Sequence, residues 1–163
     1  SLMSNDEQVP LSREVRIVDE YYSIYHVRFG ERVRMEWRIS DSLDLTETMV
    51  PSFILQPIVE NAVKHGLEYE EEDGKGHIRI ECRGEDEFIV FRVINNGGAI
   101  DLQKVAEVMR TPGTGYGIYN ICERIELYYG SGSGLFPSIT EDGETCFTLK
   151  LNRTLEKETP TEA

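Results

Sequence analysis

The chain is poor in cysteine, short of basic residues and without a long apolar run. Its three cysteines, Cys82, Cys122 and Cys146, lie far apart with no CxxC spacing. An odd, scattered set does not build a disulfide framework and points to a reducing compartment. Lys and Arg number 17 against 30 Asp and Glu, a net charge of -13. Such an acidic chain repels phosphate backbones and lacks a basic patch for anionic lipid, so no nucleic acid partner is expected. A small anion is still admissible where a local site gathers donors. No apolar stretch approaches the roughly 18 residues of a membrane span, and no secretory leader is visible. Ser1-Leu2 ahead of Met3 reads as a remnant of expression, so a piece of a longer protein is expected.

The 163 residues, 39% apolar and 29% charged, suit one domain with a true core. Ser12 can cap a helix beginning near Arg13. In that helix Val15, Val18, Tyr22, Tyr25 and Phe29 recur at helical spacing until Gly30. RMEWRIS (34–40) alternates as a half-buried strand, with Met35, Trp37 and Ile39 on one side. In VPSFILQPIVENAVKHG (50–66), Ile54, Leu55, Ile58, Val59, Ala62 and Val63 form one helical stripe. Pro57 should mark its first turn or a kink, and Gly66 its C-cap. An acidic loop follows, then two strands in HIRIECRG (77–84) and EFIVFRVINN (87–96). Residues 99–112 read as a short helix. Residues 113–130 read as a glycine loop opening into a helix with Ile118, Ile121, Cys122 and Ile125 inward. LFPSIT (135–140) and TCFTLKL (145–151) flank a hairpin turn. The polar tail from Asn152 is expected to be disordered. The fold class is α+β, with helices layered on four or five strands.

Three short stretches could carry chemistry. Asn61, Lys64 and His65 lie at i, i+3 and i+4, on one edge of their helix bordering the apolar stripe. A carboxamide, a cation and an imidazole could engage a metal-bound phosphate there. The alternative is a solvated face with Asn61 bonded to nearby backbone. VINNGGAI (93–100) ends an apolar strand in Asn and Gly, which allows close approach of a flat ligand or makes a plain turn. GTGYGIYN (113–120) places Gly113, Gly115 and Gly117 directly before a helix, where free amides and the helix dipole favour an anion. No Gly-Lys-Ser/Thr follows, so this is not a P-loop. The GxGxG spacing after a proline-terminated helix does not fit a Rossmann turn.

Taken in order, these stretches resemble the N, G1 and G2 boxes of the ATP-binding domain of sensor histidine kinases, in the GHKL ATPase superfamily. LQPIVENAVKHG (55–66) resembles the N box of LytS/YesM-like kinases, and GTGYGIYNICERIELYYG (113–130) their G2 box and following helix. YYSIYHVRFGERV (21–33) is similar to the segment linking their phosphoacceptor helices to the ATP domain. The resemblance covers roughly residues 10 to 151.

The resemblance implies a Bergerat-type fold, a two-layer α/β sandwich whose mixed sheet is covered by helices on one face. It divides the chain into a start (1–9), a linker helix and first strand (10–50), an ATP-binding core (51–151) and a tail (152–163). The activity implied is γ-phosphoryl transfer from Mg-ATP to a histidine on a dimerisation domain absent here. By motif match, Asn61 would hold Mg²⁺, with Glu60 beside it as a candidate general base. Lys64 and His65 would lie near the phosphates. Gly97 would admit the adenine, and Gly113, Thr114, Gly115, Tyr116 and Gly117 would cradle the phosphates. The G1 box commonly reads Asp-x-Gly-x-Gly, but Asn95 and Ala99 stand at its ends here. Asn95 can accept the adenine bond without charge, so weaker ATP binding is expected. His26 and His77 are expected on the surface. The implied partners are the phosphoacceptor helices, a response regulator and a second copy in the parent. The implied setting is a cytoplasmic domain of a membrane-anchored parent. The alternative is a nucleotide-sensing module without phosphotransfer.

Overall fold

A computed structural model describes residues 7–68, 76–97, 100–113 and 117–153. In chain order the elements are β1 (Gln8–Pro10), α1 (Leu11–Phe29), β2 (Val33–Ile39), β3 (Met49–Pro51) and α2 (Gln56–Glu68). They continue with β4 (Gly76–Glu85), β5 (Phe88–Asn95), α3 (Leu102–Arg110), α4 (Ile118–Tyr128), β6 (Gly134–Ile139) and β7 (Thr145–Asn152). The main sheet runs β2-β4-β5-β7-β6, and β1 pairs with β3 in a separate two-stranded piece. β2 and β4 are parallel; the other junctions of the main sheet are antiparallel.

Strand alternation sorts the sheet into two unlike faces. Along β4, Ile78, Ile80 and Cys82 are buried between the partly exposed Arg79 and Glu81. Register carries the pattern sideways: Ile80 faces Val93, and Val93 faces Phe147. That apolar face joins buried residues of α1, α2 and α4 in one core, with Val105 and Met109 of α3 packed against it. The other face carries ion pairs, Arg79 and Arg92 both holding Glu81 at 3.2 and 2.9 Å. The architecture is therefore the expected α+β sandwich, a mixed sheet covered by helices on one face.

The α2 stripe is fully buried from Ile54 to Val63. Each of its larger side chains contributes about 1.5–3 kcal/mol on burial. That outweighs the helix cost of Gly66, about 1 kcal/mol. The helix accordingly runs through Gly66 to Glu68 rather than stopping there. Pro57 lies in the first turn, where its missing N–H costs nothing.

Three further boundaries differ from the sequence reading. α1 starts at Leu11 without a side-chain cap, because the carbonyls of Thr48 and Leu45 accept from Leu11 and Ser12 N–H at 2.8 and 2.9 Å. Tertiary partners do the work assigned to Ser12. β1 and β3 are three residues each, too short to show alternation, and they exist through mutual pairing. β7 extends through the buried Asn152, which pairs with Phe88. The expectation of a disordered tail over 152–163 thus fails at Asn152 itself, and residues 154–163 of that stretch lie outside the described residues.

Candidate functional site

A cavity of about 210 Å³ opens where α2, α3 and the start of α4 meet the ends of β5 and β7. Asn61 and His65 reach it from α2, one turn apart. Asn95 and Thr145 line it from the sheet. They are register partners on adjacent strands, 1% and 2% exposed. Ile118, Phe147 and Val105 supply apolar wall, and Lys104 of α3 adds a cation.

His65 Nε2 and Thr145 Oγ1 are buried without a hydrogen-bond partner. A buried polar atom left unmade costs about 1–3 kcal/mol. Two such atoms in one small cavity mark a place where a ligand recovers that cost. Asn95 Nδ2 donates to the Asn96 carbonyl at 2.9 Å, and the side chain carries an acceptor oxygen and a second N–H besides. Asn96 is structural: its Oδ1 accepts from His77 N–H at 2.6 Å and ties the end of β5 to β4.

The glycines act by close approach. Gly97 has φ +136, and a Cβ there would sit 3.3 Å from His65 Cδ2. The group packed on Gly97 is thus the His65 ring. Gly117 has φ +83, and a Cβ would meet Pro57 Cβ at 3.2 Å. This contact brings the start of α4 onto the first turn of α2, so the glycine-led helix and the Asn61 helix border the same cavity. Gly113 has φ +76 and open surroundings. Ala99, Thr114, Gly115 and Tyr116 lie outside the described residues.

Of the expected site residues, Gly97, Gly113, Gly117, Lys64 and Glu60 are not in the cavity lining, and the last two pair with each other. Lys64 Nζ donates to Glu60 Oε1 at 3.0 Å, each about 30% exposed. Lys64 is 300° round the helix from Asn61, on the opposite flank from His65. The i, i+4 acid at Glu60 holds it there. Glu60 also acts on Tyr21 of α1. Burial, Tyr25 beside it and then the Glu60 charge push the Tyr21 phenol well above its ordinary ionisation range. In this geometry Glu60 is paired with Lys64 and is not in the cavity lining. His26 and His77 are surface groups, 3.4 and 3.6 Å from Glu31 and Glu36.

Thr145 and Lys104 were missed from sequence. Thr145 reads as the first residue of a hairpin strand, and only register places it beside Asn95. Lys104 is one of several polar residues on a short amphipathic helix.

The model of the histidine kinase-, DNA gyrase B- and HSP90-like ATPase family matches residues 51–155. The sensor protein LytS of Streptococcus mutans is 32% identical over 145 residues, covering 86% of this chain and 24% of that protein. The sensor histidine kinase YpdA of Escherichia coli is 29% identical over 132 residues, 80% of this chain and 22% of its own length. The chain thus spans about a quarter of the length of these relatives. Among solved structures, the catalytic domain of histidine kinase ThkA superposes with a TM-score of 0.64 at 17% identity, covering 90% of this chain and 95% of that one. Histidine kinase AdeS of Acinetobacter baumannii gives 0.65 at 13% identity, over 93% and 68%. With a family model that matches residues 51–155, most of its length, the chain belongs to the histidine kinase-, DNA gyrase B- and HSP90-like ATPase family.

Proposed function

We propose that this chain is the ATP-binding catalytic domain of a two-component sensor histidine kinase, with residues 10–50 as connecting segment and 51–151 as the nucleotide-binding core. The observation that carries the reading is the pair of unpartnered buried polar atoms, His65 Nε2 and Thr145 Oγ1, in the cavity that Asn61 lines. The Asn95–Thr145 end supplies an acceptor and a hydroxyl for the adenine edge, with Phe147, Val105 and Ile118 as apolar wall. Asn61 stands toward the phosphate end. An amide oxygen there suits Mg²⁺, which takes few protein ligands and keeps phosphates and waters. Among the described residues no group of three His, Cys, Asp or Glu could hold a metal. The reading brings Mg²⁺ in with the nucleotide, held by Asn61. Magnesium supplies charge compensation for the transferring phosphoryl group.

The chain's own residues position the nucleotide rather than attack it. Asn61 orients the phosphate chain, and the amides from Gly113 to Gly117 with the start of α4 receive its charge. The nucleophile is a histidine on dimerisation helices outside this chain, in a homodimeric parent that passes the phosphoryl group to a response regulator. No described helix is long and apolar enough to cross a membrane. The reading places this domain on the cytoplasmic side of a membrane-anchored parent. The test is phosphotransfer from labelled ATP to a separately supplied phosphoacceptor domain. Wild-type chain should label the histidine and Asn61→Ala should not. A labelled product with the Ala variant, or none with wild type, would overturn the assignment.

A further inference from the structure

The turn that leads into α2 is gripped from three sides. Ser52 N–H donates to the Glu7 carbonyl at 2.8 Å. The Ser52 carbonyl accepts from Arg124 Nη2 of α4 at 2.6 Å. Ile54 N–H donates to Glu14 Oε1 of α1 at 2.8 Å. Between the last two bonds sits Phe53 at φ +57, its side chain about half exposed. The left-handed region is disfavoured for any residue with a Cβ, and for a bulky ring most of all. Such strain persists only where the surroundings over-determine the backbone. Packing of an exposed ring does not supply that; the hydrogen bonds on either side do.

A second cost falls on the same turn. Glu14 is 1% exposed, and its other oxygen, Oε2, has no hydrogen-bond partner. Burying a half-satisfied carboxylate is expensive, and a backbone amide could be satisfied more cheaply by a neutral group. What the two costs fix is the entry into α2. The Leu55 carbonyl accepts from Ile58 and Val59 N–H, both at 3.1 Å, and so starts the helix that carries Asn61 and His65. Arg124 stands on the helix that begins after Gly117, and Gly117 packs on Pro57 of α2.

We propose that Glu14 and Arg124 are positioning residues: by clamping the Ser52–Leu55 turn between α1 and α4 they lock the start of α2 to the start of α4, and so fix Asn61 and His65 relative to the glycine-led end of the cavity. The consequence for affinity rests on the nucleotide reading above; the coupling of the two helix starts does not. α1 is thereby a direct mechanical input to the cavity, since a displacement of α1 moves the Glu14 carboxylate and with it the α2 entry.

The test uses four variants of the whole chain: Glu14→Gln, Glu14→Ala, Arg124→Ala and Arg124→Lys. Amide hydrogen exchange is measured without nucleotide. The amides of Ile58 and Val59, bonded to Leu55, and of Ile121, bonded to the Gly117 carbonyl at 3.1 Å, report the two helix starts. Glu14→Ala and Arg124→Ala should each speed exchange at all three by about tenfold, with β5 and β7 unchanged. Glu14→Gln keeps the acceptor and should stay near wild type; Arg124→Lys should fall between. Mg-ATP calorimetry should then show about tenfold weaker binding for both Ala variants only. Faster exchange confined to one of the two helix starts, or spread uniformly over the sheet, overturns the coupling. If Glu14→Ala does not fold, Glu14→Gln and the Arg124 pair decide. Coupled exchange with no wild-type nucleotide binding would sink the nucleotide reading and leave the coupling standing. Wild-type affinity in both Ala variants would sink the positioning role.

Discussion

Replacing Thr145 by Val should make the empty domain more stable and its nucleotide binding weaker. The Thr145 hydroxyl is buried without a partner, and Thr145 lines the cavity. Valine keeps the branched shape that a strand favours and removes the oxygen. The unmade group costs about 1–3 kcal/mol, so its loss should return about 1 kcal/mol. For a chain of this size that raises the melting temperature by about 2–4 °C. With ligand bound the sign reverses. A hydrogen bond worth about 0.5–1.5 kcal/mol disappears, weakening Mg-ATP by about 2- to 13-fold. Thermal melts without nucleotide and calorimetry with it measure the two effects on one sample. A Val variant that melts lower and binds Mg-ATP unchanged would refute the reasoning, because the hydroxyl would then be serving the fold.

Gly97→Ala meets both a positive φ and the His65 ring, so it should cost about 1–3 kcal/mol, read as a lower urea midpoint at unchanged slope. An unchanged midpoint would contradict the close approach. Asn95→Asp should bind ATP about fivefold tighter through a charge-assisted bond while lowering the melting temperature, since a carboxylate loses its water at a site only 1% exposed. Tighter binding without destabilisation, or the reverse, would argue against this position facing the adenine. Burial pushes the Cys82 thiol up to about 12 and also raises that of the half-buried Cys122. Alkylation at pH 8 followed by mass mapping should modify Cys122 first, with Cys82 and the buried Cys146 reacting only on unfolding. Early labelling of Cys82 would show that the β4 face opens readily.

Much of the fold was legible because each long element has one clean periodicity. The α2 stripe and the alternation of β4 each predict which side is buried. The short β1–β3 pair was not legible, since three residues show no period and their partner is about forty residues away. The buried carboxylate of Glu14 was invisible for the same reason: only the tertiary structure brings Ile54 N–H to it. At the site, i, i+4 spacing was enough to put Asn61 and His65 on one side. Grouping Lys64 with them failed to weigh Glu60, which competes for the cation at the same spacing. Thr145 needed the β5–β7 register, which no local signal in TCFTLKL encodes.

The most direct test is to titrate the chain with Mg-ATP and map backbone amide shifts by NMR. Shifts should gather at Asn61, His65, Asn95, Gly117 and Thr145. A larger cavity of about 640 Å³ beside Leu43 and Tyr129, at the other end of the sheet, should stay silent. Shifts gathered at that cavity, or none at millimolar nucleotide, would contradict the account.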